Sequence, residues 1–453
     1  MRTLEYEPLT SESYTEEAYE YGQATTAEFG QDAEAVYSQV ASRLDEFYAT
    51  DRYDRLTELG VERTNPHFME YINGHKVLRV DQTQHTYNSS YKIHGAANAA
   101  LVAQEVAQQR GERLTTLNLA SAGNHGEAAA AVGRFLGLHV EVEAAKTASS
   151  VKVGLMAGHG ADVNATHDSL ATALDTAEVK GRQPNHTFVP PYNDYDVITG
   201  QAVLGVQLYE DLVKQSVSGK VVVPAAVGGG GHLSGLVCGY RYAAERAAES
   251  GFQQPFDVSF VGVQMEGGDL ARRAVEHKRS GLPYASVDDL FPDGDFDASN
   301  DGTFAVPGHL TLSVLSDESA VSRIVVVDKG AVGASMYAQS RQLGKRVEPA
   351  GALSRAGAEL LAGQNAEQVT FVTYLTGSNV SSELYEDFMV ARRNRQAAMV
   401  AARSAEVLQV RSQLTAFRAG SLATSECISV ADRGVTVASS PTAAYRQGLV
   451  MPR

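Results

Sequence analysis

Short apolar runs alternate along this chain with longer amphipathic stretches. Segments 76–80, 113–119, 139–143, 187–189, 220–223, 258–263, 322–327 and 369–375 are each rich in Val, Leu, Ile or Phe and read as strands. Segments 94–109 and 126–136 are alanine-rich with helical spacing, and 391–418 is a long Ala/Arg/Gln helix. The polar stretch 11–53 has few turn formers and also reads as helix. Beyond 418, Ser, Thr and Pro441 predict irregular chain or one or two strands. Strands alternating with helices predict an α/β fold with a mainly parallel sheet. No internal repeat is visible.

At 453 residues the chain has room for two to four domains of ~100–200 residues. Its 43% hydrophobic and 20% charged residues are ordinary for a globular protein and exclude a collagen, a coiled coil or a largely disordered chain. The net charge of −16 argues against nucleic acid or an anionic membrane as partner. Cys238 and Cys427 are too few for a disulfide scaffold or a four-thiolate zinc site. The acidic start, Met1-Arg2-Thr3-Leu4-Glu5, is unlike a signal peptide, and no run approaches the ~18 apolar residues of a membrane span. A cytoplasmic location is expected. Charge is unevenly spread: residues 1–70 hold 5 basic against 16 acidic side chains, and 391–453 hold 9 basic against 3 acidic. Such runs are solvated helix faces or surfaces that meet each other.

Three segments carry candidate chemistry. Gly228, Gly229, Gly230 and Gly231 follow a strand and precede a helix. Consecutive glycines let several N–H groups converge on one anion, and the helix adds its positive end. The same run also suits a tight strand-to-helix turn. In Asn88-Ser89-Ser90-Tyr91-Lys92-Ile93-His94-Gly95, one lysine opens an alanine-rich helix. A desolvated lysine is a nucleophile or base, and a solvated one is inert surface. Ser121-Ala122-Gly123-Asn124-His125-Gly126 is a strand-to-helix turn that presents an amide side chain, or simply caps the helix.

In this order and spacing the three segments resemble the fold-type II pyridoxal-phosphate enzymes, within them the threonine/serine dehydratase branch. Further agreement comes from Val189-Pro190-Pro191-Tyr192-Asn193-Asp194 with Gly200-Gln201, and from Val261-Gly262-Val263-Gln264. Asp301-Gly302-Thr303 with Pro307-Gly308, Glu348-Pro349-Ala350-Gly351-Ala352 and Leu375-Thr376-Gly377-Ser378-Asn379-Val380 match as well. The resemblance implies a tryptophan synthase β-like fold. That fold has two open twisted sheets with flanking helices and an active site between a large and a small domain. It places the large domain at 73–104 and 186–390 and the small domain at 105–185. An acidic helical extension (1–72) and a basic extension (391–453) would flank them.

Residue by residue, the resemblance implies that Lys92 is the Schiff-base lysine and general base, with Tyr91 where phenylalanine is usual. Asn124 would hydrogen-bond the cofactor's phenolic oxygen, Gly228, Gly229, Gly230 and Gly231 would cradle its phosphate, and Thr376 would meet its ring nitrogen. Ser90, Ser121, Ala122, Gly123 and His125 would line the substrate site. His94 replaces a usual arginine, and Ala122 stands where racemases carry a second acid/base serine, which argues against racemisation. Gln264 and Leu270 occupy positions of carboxylate ligands, so no metal is expected. The tail is short for the regulatory domain of biosynthetic threonine dehydratases. The expected activity is deamination of a β-hydroxy amino acid, threonine or serine or a specialised analogue, by β-elimination to a 2-oxo acid and ammonia. The expected assembly is a homodimer or higher homo-oligomer. The alternatives are a β-replacement synthase of the same fold and a catalytically silent ligand-binding paralogue.

Overall fold

A computed structural model describes residues 32–61, 63, 66–85, 88–282, 287–291 and 305–418. Its strands are β1 (Pro66–Ile72), β2 (His75–Asp81), β3 (Thr116–Ala120), β4 (His139–Ala145), β5 (Asp162–His167), β6 (His186–Phe188), β7 (Gly219–Ala226), β8 (Phe256–Met265), β9 (Val321–Val327) and β10 (Thr370–Leu375). They form a six-stranded sheet of order β1-β2-β10-β7-β8-β9 and a four-stranded sheet of order β5-β4-β3-β6. All neighbours are parallel except β1 and β2. The central strands are nearly continuous apolar runs because helices cover both faces.

Each expected strand is present. Two others, β1 and β5, escape a reading based on apolar runs. Strand β5 reads Asp-Val-Asn-Ala-Thr-His and is alternately exposed along its length. Pairing with β4, not burial, makes it a strand. Strand β1 is an edge strand closed onto β2 by Asn73-Gly74, whose φ values of 47° and 85° are those of a type I′ hairpin turn.

The acidic head is helical where described, at Ala33–Ala49 and Arg52–Glu58; residues 1–31 of the expected helix lie outside the described residues, as does everything after 418. The first of these helices buries Val36, Tyr37, Val40, Leu44 and Phe47 in the core. Its acids pair within the globule: Glu34 with Arg241 and Asp45 with Arg246. Arg52 closes a bidentate pair on Glu105. Contacts divide the chain into Met1–Arg392 and Arg393–Arg453, and described residues of the second unit continue the helix Ser382–Arg418.

Helices Tyr195–Lys214 and Gly231–Glu249 cross with backbones almost touching. A Cβ on Gly239 would collide with the carbonyl of Ala202, and one on Gly205 with that of Leu236. Neither obstacle is a movable side chain. Gly239→Val should therefore cost at least about 2 kcal/mol by overpacking. The check is a lower urea midpoint at unchanged slope.

Candidate active site

Lys92 is the first residue of helix Lys92–Gln109. Asn88 accepts the Ser90 N–H at 2.8 Å, and the Ser90 hydroxyl accepts the Lys92 N–H at 3.3 Å. This Asx turn fixes where the lysine leaves the backbone. Ser90, expected to line the substrate site, is fully buried and spends its oxygen on this turn. The Lys92 ammonium donates to the carbonyl of Pro191 at 2.7 Å. Burial pulls its pKa down from 10.5 to about 8.

Tyr192 joins this lysine to the glycine run. Lys92 Nζ lies 5.9 Å from the Tyr192 ring centre. The same ring fills the space a side chain at Gly229 would need. The Tyr192 hydroxyl is anchored on the carbonyl of Val306 at 2.9 Å. Thr311 in turn donates to the Gly229 carbonyl at 2.7 Å. Gly230 adopts φ 88°, a left-handed turn that opens directly into helix Gly231–Glu249. No hydrogen bond engages the amides of Gly228, Gly229 and Gly230 among the described residues. An oligoglycine bend whose N–H groups are all unused, at the positive end of a 19-residue helix, is built for an anion.

A second contact runs from the far side of the loop. His232, the residue after it, packs on Tyr91 with 4.5 Å between ring centres and donates Nε2–H to Gln82 at 3.0 Å. Burial and the nearby Lys92 charge hold its pKa down at about 3. His94 is buried edge-on to His85 at 5.0 Å, in keeping with a packing role.

The turn after β3 holds Ser121, Ala122, Gly123, Asn124 and His125. The Ser121 hydroxyl accepts the N–H groups of Gly123 and Gly126 at 3.1 and 2.9 Å, which shapes the turn. Ala122, Gly123 and Asn124 remain partly open. His125 is buried, donates Nε2–H to the Val189 carbonyl at 2.9 Å, and is held neutral by burial and by Lys92. Its ring supports the turn, and its backbone is what the helix start offers to a ligand. Thr376 follows β10; its carbonyl accepts the Tyr91 N–H, and its hydroxyl makes a long 3.4 Å bond to Ala350. Gly377 pairs with Ser90 across the same gap.

Glu348, Asn379, Glu127 and Tyr192 are given no role by the sequence reading, although three of them, Glu348, Asn379 and Tyr192, lie in the matched motifs. Asn124 donates to Glu348 at 2.7 Å and accepts from Asn379 at 2.8 Å. Asn379 also donates to Glu127 at 2.5 Å. The segment doubtful as a cation site is otherwise committed: Gln264 bonds backbone groups of Val227 and Arg272, and Asp269 pairs with Arg272. Asp301-Gly302-Thr303 lies outside the described residues.

A desolvated lysine, an adjoining bend of free amides, an asparagine and a threonine hydroxyl converge from four distant parts of the chain. This arrangement sets a reactive amine beside amides suited to an anion. The sequence model of the family described as pyridoxal-phosphate dependent enzyme matches residues 72–377. The chain belongs to that family, and its cofactor is pyridoxal phosphate. Among curated relatives, the catabolic L-threonine dehydratase of Escherichia coli K12 is 28% identical over 333 residues, covering 72% of this chain and 89% of the relative. The biosynthetic L-threonine dehydratase of Mycobacterium leprae is 32% identical over 300 residues, covering 64% of this chain and 61% of the relative. The processed threonine deaminase isoform 2 of Solanum lycopersicum shares the fold, with a TM-score of 0.60 at 19% identity over 80% of this chain and 89% of that one.

Proposed function

We propose that the protein removes ammonia from a β-hydroxy amino acid, threonine or serine first, by β-elimination. The observation that carries this is the desolvated Lys92 amine set one aromatic ring away from the unused glycine amides. Bound pyridoxal phosphate supplies an aldehyde for the substrate amine and an electron-withdrawing ring that acidifies the Cα proton.

The protein's own groups do the rest. The glycine bend 228–231 would hold the phosphate, and Asn124 would donate to the ring oxygen. Lowering to about 8 brings the Lys92 amine within reach of neutrality, so that as pH rises toward 8 a growing fraction is unprotonated and accepts the Cα proton. The open amides at the start of helix Asn124–Leu136 take the substrate carboxylate. Thr376 would offer the ring nitrogen a neutral hydroxyl and no charge, and the proton that Lys92 has accepted would leave with the β-hydroxyl as water. Hydrolysis of the released enamine gives one 2-oxo acid and one ammonia per substrate.

We read a small domain around the four-stranded sheet and a large one around the six-stranded sheet; the first sheet takes in β6 at His186–Phe188 and the second takes in β1 at Pro66–Ile72, so the expected bounds of 105–185 and of 73–104 with 186–390 shift by a few residues at 186 and at 73. No described helix is long and apolar enough to cross a membrane. We read the protein as a cytoplasmic homo-oligomer that takes a small amino acid as its substrate. Strand β1 supports the assembly: it is a sheet edge that exposes Met69 (63%) and Tyr71 (68%). Light scattering of the purified protein tests it.

The activity test supplies L-threonine or L-serine alone. Equal amounts of 2-oxo acid and ammonia support the proposal. Product that appears only with a second nucleophile would replace it with a β-replacement synthase.

A further inference from the structure

The side chain of Asn124 is gripped at both ends. Its oxygen accepts from Asn379 at 2.8 Å, and its nitrogen donates to Glu348 at 2.7 Å. An asparagine amide turned end for end keeps nearly the same shape, so only its partners decide which end faces a ligand. Here the turned amide would set oxygen against the Glu348 carboxylate and NH2 against the NH2 of Asn379. Both contacts would be repulsive.

The polarity is dictated from further back. The same Asn379 nitrogen donates to Glu127 at 2.5 Å. Glu127 is 5% exposed and lies on helix Asn124–Leu136, one turn behind Asn124. Burial raises the Glu127 pKa and the Asn379 hydrogen bond opposes that rise; in its ionised form the carboxylate only accepts, so Asn379 must present its NH2. Asn124 must then present its oxygen to Asn379 and its NH2 to the cleft. Gly377 closes the arrangement from the other side, because any side chain there would overlap the Glu348 carboxylate and crowd the Asn124 amide. One Asn124 N–H is held by Glu348, and the second remains for a ligand.

We infer that Asn379 and Glu127 are positioning residues, which lock the Asn124 amide so that a donor, never an acceptor, meets the cofactor's ring oxygen. This rests on Asn124 being the cofactor contact. A donor at that oxygen favours its ionised form, so the lock controls the protonation of the bound chromophore as well as cofactor retention.

The test compares holoenzyme variants by the pH midpoint of the bound cofactor's absorption change and by cofactor retained on dialysis. Asn379→Leu and Glu127→Leu should each move the midpoint by about one unit and weaken retention about tenfold, in the direction set by Asn124→Ala. Glu127→Gln, which can accept from Asn379 but no longer forbids its turned form, should fall between wild type and Glu127→Leu. The double variant Asn124→Ala/Asn379→Leu should match Asn124→Ala alone, because the second change has nothing left to orient. Thermal melting of the apo-proteins reports the same coupling without activity. Wild-type midpoints for Asn379→Leu and Glu127→Leu beside a shifted Asn124→Ala, or additive effects in the double variant, overturn the lock and leave the role of Asn124 standing. An unmoved Asn124→Ala overturns that role and the lock with it.

Discussion

Lys92→Met should abolish turnover, with kcat reduced by at least about 10³-fold, because the variant loses both the covalent anchor and the base. The same change should stabilise the cofactor-free protein near neutral pH. Burial lowers the folded-state pKa of Lys92 from 10.5 to about 8, so between these values the unfolded chain binds a proton that the folded chain does not. Stability of the wild-type apo-protein therefore rises with pH across about 8 to 10.5, and below about 8 the buried charge is a constant cost. Methionine fills similar volume without that charge. Denaturation curves at pH 7 and pH 10 decide it. The variant should gain most over wild type at pH 7, and the gain should shrink at pH 10. An equal or lower midpoint at pH 7 would show that the amine is solvated, and residual turnover within tenfold of wild type would remove Lys92 from the chemistry.

The second large effect concerns the glycine bend. Gly229→Val should weaken cofactor binding by at least about 100-fold while leaving most of the fold intact, since its side chain must occupy the place of the Tyr192 ring. That ring is pinned by its hydroxyl on Val306 and cannot simply swing away. The bend is displaced instead, and the converging amides lose their common target. Tyr192→Phe keeps the wedge, and losing one neutral hydrogen bond should cost about 1 kcal/mol with cofactor affinity nearly preserved. Gly229→Ala/Tyr192→Leu should recover part of what Gly229→Ala loses. Titration with pyridoxal phosphate, followed at the bound chromophore's absorption band, measures each. Tight binding by Gly229→Val would mean the phosphate sits elsewhere.

How far the site could be read from the sequence depended on whether chemistry was local. Lys92, Asn124, the four glycines and Thr376 each sit in short motifs at element boundaries, and the structure brings them into one place. For side chains that work through distant partners, a motif marks at most the position and not the role. Glu348, Asn379 and Glu127 gain their role from a hydrogen-bond chain across more than 200 positions. Tyr192 reads as one tyrosine among twenty, though inside a matched motif, until the space above Gly229 is known. Ser90 and the His125 ring, expected at the substrate, also hold backbone and turn in place, a role that only their partners reveal.

The fold divides in the same manner. Hydrophobic periodicity is a property of neighbours along the chain, so it was enough for the buried central strands, the alternation with helices and the α/β class. The motif order likewise implied the cofactor, through the family that it resembles. Register, edges and pairings depend on which surfaces meet after collapse. Only the tertiary structure could make a strand of Asp162–His167, send the acids of the head to Arg241 and Arg246, and desolvate one lysine of the chain beside an amide-lined bend. Burial and partner choice are contributions of the whole packed molecule, and no window of sequence contains them.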